Sequence, residues 1–154
     1  MQNAVREIMS TKLETIDTTE NAQEVAKKMN DKRISSVLVI DKDNKSGEPL
    51  GIVTERDLVK HVCVSGTSSK EVGVREIMSS PIATVEAEAT VETAADLMLS
   101  NKVRHLLVID EQTGKPVGII APSDMNKYLR ANIDMNEVNA RIFEAIKGEE
   151  LTEP

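Results

Sequence analysis

The sequence predicts an α+β (mixed α/β) protein: two β-α-β-β-α units packed sheet to sheet about a pseudo-twofold axis, followed by one further helix. Three observations carry this. The run Val5-Arg6-Glu7-Ile8-Met9-Ser10 recurs letter for letter as Val74-Arg75-Glu76-Ile77-Met78-Ser79, and the same offset of 69 carries Leu38-Val39-Ile40-Asp41 onto Leu107-Val108-Ile109-Asp110. Each copy alternates short, continuous apolar runs with stretches whose apolar residues recur at helical spacing. Each copy, at about 60 residues, is too small to bury a good core alone, so the two must share one.

The elements follow in order. Short extended pieces at about Glu14–Asp17 and Ala83–Glu86 open the copies. Asn21 and Thr90 are N-cap candidates for the next helices, and Glu24 stands at capping-box spacing from Asn21. Ala22, Val25, Ala26 and Met29 share one face of the first helix; Val91, Ala94, Ala95 and Met98 share one face of its counterpart. The strands Val37–Ile40 and Leu106–Ile109 each end at an Asp, and a polar turn leads into Leu50–Val53 or Val117–Ile120. Continuous apolar runs mean that both faces of each sheet are covered. The second copy is two residues shorter in its turn, so Gly51 matches Gly118 and Asp57 matches Asp124. A last helix in each copy starts just past the glycine-bearing strand.

The polar stretch Ser65–Lys70 divides the chain into a first repeat (1–68) and a second (69–132). The remainder, 133–154, carries Met135, Val138, Ile142, Phe143 and Ile146 at helical spacing before a frayed Gly148-Glu149-Glu150. Its apolar stripe is expected either against its own module or in a dimer contact.

Composition bounds the function. The chain has 154 residues, 40% hydrophobic and 29% charged, and a net charge of −7, which disfavours nucleic acid and anionic membranes as partners. Tyr128 and Phe143 are its only aromatics, too few for base stacking along a single strand. No apolar run approaches the roughly 20 residues of a membrane span, and the N-terminus lacks a signal peptide's apolar core, so a cytoplasmic protein is expected. Cys63, the single cysteine, has no histidine partner at sequence level and reads as a small packed residue. His61 reads as helix surface, and the methionines read as core. Neither catalytic nor metal-ligand spacing is present.

The most informative stretch is Gly51-Ile52-Val53-Thr54-Glu55-Arg56-Asp57, repeated as Gly118-Ile119-Ile120-Ala121-Pro122-Ser123-Asp124. Thr54 with Asp57 three residues on is ordinary helix punctuation. It is also a corner where free backbone N–H groups favour an anion. Together with Ile8-Met9, Ile77-Met78 and the two Val/Leu-rich strands ending in Asp, the ordered set resembles a tandem pair of cystathionine-β-synthase-type (CBS) domains, a Bateman module, over about residues 5–132.

The resemblance implies a regulatory module, not an enzyme, that senses an adenosine nucleotide: AMP, ADP or ATP, with S-adenosylmethionine possible and no required cofactor. It implies dimerisation and a regulated partner protein. Asp57 and Asp124 match the family's ribose-binding Asp, whose carboxylate can accept from both hydroxyls. Thr54 and Arg56 would serve phosphate. The second corner departs from the pattern: Ala121 lacks the hydroxyl and Pro122 the N–H, with Ser123 as compensation, so the Asp57 site is the more complete. The family's clefts also use the segments before the first and second strands. These are Leu13, Glu14, Arg33, Ile34 and Ser35 in copy one, and Pro81, Ile82, Ala83, Val103, Arg104 and His105 in copy two. Adenine would lie between aliphatic walls such as Ile34, Ile52, Ile82, Val103 and Ile119, with Arg104-His105 facing phosphate. The alternative is an interaction or dimerisation module that binds no nucleotide.

Overall fold

A layer of four buried side chains, Leu38, Ile52, Leu107 and Ile119, joins two three-stranded sheets at the centre of the molecule. The computed structural model describes residues 3–132 and 134–150; Met1-Gln2, Ile133 and the tail 151–154 lie outside it. The first copy runs α1 (Val5–Ile8), β1 (Thr15–Asp17), α2 (Ala22–Lys32), β2 (Ser36–Ile40), β3 (Gly51–Thr54) and α3 (Glu55–Leu58). The second runs α4 (Val74–Ile77), β4 (Thr84–Glu86), α5 (Val91–Asn101), β5 (Leu106–Ile109), β6 (Pro116–Ile120) and α6 (Pro122–Asn132). The last helix is α7 (Met135–Glu150). No helix among the described residues is long and apolar enough to cross a membrane.

In each sheet the first strand runs parallel to the middle one and the third antiparallel, with Ile16 opposite Val39 and Leu38 opposite Ile52. The second sheet repeats this with Val85 opposite Val108 and Leu107 opposite Ile119. Alternation along a strand explains the continuous apolar runs. Val37, Val39 and Val53 face α2 and the first helix-lined core, while Leu38 and Ile52 face the other sheet. Leu106, Val108 and Ile120 do the same for the second core, opposite Leu107 and Ile119. The caps form as expected: Asn21 accepts from the Glu24 N–H at 3.0 Å, and Thr90 accepts from the Thr93 N–H at 3.1 Å.

The short N-terminal helices are exchanged between the copies. Val5 of α1 is wholly buried in the second core, and Val74 and Ile77 of α4 complete the first. Main-chain bonds fix the exchange. The Val5 N–H donates to the Ala89 carbonyl at 2.8 Å, and Ser10 and Ile119 bond reciprocally at 2.8 and 2.9 Å. In the mirror arrangement the Val74 N–H donates to the Glu20 carbonyl at 3.0 Å, and Ile52 and Ser79 bond reciprocally at 3.0 and 2.9 Å. The packing units therefore cross the division of the sequence at residue 68.

The structure adds one feature the sequence did not suggest, and it corrects or narrows three expectations. Beyond α3 the helix widens to π-type over Val59–Val64, which separates the two copies' last helices in kind. Cys63, on that turn, is exposed rather than packed; the residues that pack on the first core there are Leu58, at the end of α3, and Val62. The stripe of α7 is not laid on its own module: Met135, Ile142, Phe143 and Ile146 are all more than half exposed, so Met135 is not core either. The helix also continues through Gly148 to Glu150, where fraying was expected, with the Lys147 ammonium over the Phe143 ring at 4.9 Å.

Candidate functional site

Both glycine-to-helix corners open onto clefts at the junction of the copies, and each cleft draws on both copies. The larger, about 730 Å³, takes Ile52, Thr54, Glu55, Arg56 and Asp57 from copy one. Opposite them stand Ser79, Pro81, Ile82, Ala83, Asn101, Lys102, Val103, Arg104 and His105 of copy two. The smaller, about 440 Å³, joins Ile119, Ala121, Ser123, Asp124 and Lys127 to Met9–Lys12 and Arg33–Ser36, with His105 on its wall as well. The crossing follows from the sheet-to-sheet packing, which sets each corner beside the strand entries of the other copy. Leu13 and Glu14 line neither cleft: Leu13 packs on the layer between the sheets, and Glu14 lies 4.0 Å from the Lys28 ammonium.

The two aspartates are built alike. Asp57 Oδ2 accepts from the Thr54 N–H at 2.8 Å and the Thr54 hydroxyl at 3.1 Å, while Thr54 Oγ1 accepts from the Asp57 N–H at 3.4 Å. Asp124 Oδ2 accepts from the Ala121 N–H at 2.9 Å. Each carboxylate therefore locks its corner with one oxygen, and among the described residues no hydrogen bond engages Oδ1 of either. Punctuation and ligand contact are thus compatible roles for one side chain. The corners differ in access. Asp57 is half-buried, whereas Asp124 is only 6% exposed.

Sequence reasoning missed Glu55, Ser79, Asn101 and Lys102 in the larger cleft, and Ser10, Thr11, Lys12 and Lys127 in the smaller. One signal was available. Arg33 and Lys102, at the repeat offset, both close a helix in the left-handed conformation at φ 53° and 54°, where glycine or asparagine is usual. A basic side chain at that position in both copies brings a cation to each cleft. Arg56, Lys102 and Arg104 stand around the larger cleft and Lys12, Arg33 and Lys127 around the smaller. Glu55 and Asp57 in the larger cleft and Asp124 in the smaller offset only part of that charge, so in a chain of net charge −7 both clefts keep an excess of cations.

His105 stands where the clefts meet. Its Nε2 lies 2.9 Å from Ser35 Oγ of the other copy. Burial pulls its pKa below 6.5, against the opposing pull of Glu55, Asp124 and Asp57, and nearby Arg104 lowers it further. Burial therefore favours the neutral imidazole. Among the described residues no cluster of His, Cys, Asp and Glu could hold a metal ion.

Paired sheets, exchanged helices and two pseudo-symmetric clefts define a tandem repeat module, and comparison with known proteins gives its family. The CBS domain model matches residues 5–63 and again 74–131, so the chain belongs to the CBS-domain family as a tandem pair, a regulatory module. An uncharacterised protein of Methanopyrus kandleri is 39% identical over 134 residues, which cover 85% of this chain and 66% of that protein. The crystal structure of an uncharacterised conserved protein from Pyrococcus horikoshii superposes with a TM-score of 0.76 at 25% identity, covering 88% of this chain and 98% of that one. A CBS domain protein from Pyrobaculum aerophilum, solved in complex with AMP, is 25% identical with a TM-score of 0.68, covering 79% of this chain and 89% of that one.

Proposed function

We propose that the chain is a regulatory module that binds an adenosine nucleotide, AMP, ADP or ATP, between its repeats and passes the bound state to a partner protein. The observation that carries this is the larger cleft: an uncommitted carboxylate oxygen on Asp57, aliphatic walls and three cations meet in one cavity of ligand size. Asp57 Oδ1 accepts from ribose; Ile52, Ile82 and Val103 flank the base; Arg56, Lys102 and Arg104 face phosphate. Such a cationic rim suits phosphorylated ligands better than the sulfonium of S-adenosylmethionine. The AMP-bound relative from Pyrobaculum aerophilum supports the same ligand class. The Asp124 cleft, smaller and with its carboxylate buried, takes ligand more weakly.

Because each cleft is walled by both copies, a ligand that fits one relative arrangement better than another shifts the equilibrium between them by that difference. No catalytic step is assigned. The module self-associates, and the uncovered stripe of α7 supports that reading. It equally suits the second reading, an interaction module without ligand.

A thermal-shift panel of AMP, ADP, ATP and S-adenosylmethionine decides between them. At about 100 times Kd a ligand adds about 2.7 kcal/mol. That moves the midpoint by roughly 5–10 °C at this size. Asp57→Ala should weaken binding more than Asp124→Ala. Absence of any shift would leave only the interaction module.

A further inference from the structure

We propose that His105 makes the two clefts compete: a phosphorylated ligand in one weakens binding in the other through this single imidazole. The inference rests on the nucleotide-binding reading and concerns how its two sites communicate. Three observations carry it. His105 is the one described residue that lines both clefts. It is hydrogen-bonded across the repeat boundary to Ser35, itself a wall of the smaller cleft. Its counterpart at the repeat offset is Ser36, so only one of the two symmetry-related positions carries an imidazole.

The chemistry of a neutral imidazole does the rest. It has one N–H and one bare nitrogen, so it can donate to an anionic ligand on one side only. A ligand that takes the N–H in the Asp57 cleft fixes the tautomer and leaves Nε2 bare, so the Ser35 hydroxyl donates to Nε2 and is withdrawn from the Asp124 cleft. The second ligand then lacks one hydrogen bond that it would have alone. That difference corresponds to about fivefold in affinity. By linkage the penalty is the same whichever cleft fills first.

The test uses the full chain, AMP as the probe and calorimetry. Asp124→Asn and Asp57→Asn each leave one cleft to be titrated alone. The product of the two single-cleft association constants is compared with the overall constant for filling both in the unmodified chain. The overall constant should fall short of the product by about fivefold. In a His105→Ser background, which restores the residue that copy one carries, the shortfall should disappear, as it should with Ser35→Ala. With only His61 and His105 in the chain, NMR resolves both imidazoles. His105 should respond to AMP in each single-cleft variant. Equality of the product and the overall constant, persistence of the shortfall in His105→Ser, or a His105 that responds in one cleft only would overturn the proposal while leaving nucleotide binding intact. A complete absence of AMP binding would overturn both.

Discussion

Gly51→Ala and its repeat counterpart Gly118→Ala test why glycine opens the strand before each corner. Neither glycine has a positive φ, so the requirement is one of space. A Cβ at residue 51 would stand 2.8 Å from Met78 Sδ and 2.9 Å from the Ser79 carbonyl oxygen. At residue 118 it would stand 2.5 Å from Met9 Sδ and 2.8 Å from the Ser10 carbonyl oxygen. A methionine side chain can swing aside. The carbonyls cannot retreat as easily, because Ser79 and Ser10 belong to the segments that bond to Ile52 and Ile119 and hold the exchanged helices in place. Overpacking of this kind costs about 1–3 kcal/mol. For a chain of this size, 1 kcal/mol moves Tm by roughly 2–4 °C, so Gly51→Ala should lower it by about 4–8 °C if the cost is about 2 kcal/mol. Gly118→Ala, with every contact tighter, should cost at least as much. Urea denaturation followed by circular dichroism measures this, and an unchanged m-value would place the effect in the folded state. Truncating Met78 to Ala in the Gly51→Ala background should recover only part of the loss, since the carbonyl contact remains. If Gly51→Ala melts within a degree of the unmodified protein, close approach of the exchanged segment is not what keeps glycine there.

Acid should destabilise the fold in two separate windows. His105 has a folded-state pKa held below 6.5 by burial, so its contribution is present above pH 6.5 and is lost as pH falls towards the folded value. A Tm profile that His105→Gln flattens just below pH 6.5 would bear this out. Asp17, held at about 2 against an ordinary 3.8 by the Thr19 hydroxyl and the Lys42 and Thr19 amides, contributes above pH 3.8 and loses that contribution as pH falls through 2. Asp17→Asn should therefore flatten only the lower window. Ending the chain at Asn132 should leave the monomer's Tm unchanged within a degree or two, because Met135, Ile142, Phe143 and Ile146 are all exposed; a large fall would mean that α7 braces the module.

The repeat made most of the architecture legible from sequence. Six identities in a row and a maintained register specify two copies, and the apolar runs specify strands covered on both faces. What stayed hidden was non-local. Nothing in Val5-Arg6-Glu7-Ile8-Met9-Ser10 says which core it joins, because its twin at Val74–Ser79 presents the same side chains to either. That ambiguity hid the exchange, and with it Ser10, Thr11, Lys12 and Ser79 as cleft residues. The corner chemistry was local and therefore readable: Thr54 and Asp57 are three residues apart, and their mutual hydrogen bonds follow from that spacing. Cys63 was misplaced because a free cysteine's general tendency to be buried says nothing of its own turn, where the helix widens and the side chain is exposed. The stripe on α7 was recognised from its spacing, but spacing cannot tell a buried face from an uncovered one.

The exchanged helices also set an order of events as the chain is made. The first repeat leaves the ribosome with its core uncovered, and stays so until Val74 and Ile77 emerge behind it. Meanwhile α1, made before either strand, has no seat until β5 and β6 exist, since Val5 packs with Leu106, Val108 and Ile120. This helix is thus made early and seated late. The first core can close once α4 has emerged, whereas the second waits for its own strands, and each is completed by a helix of the other copy.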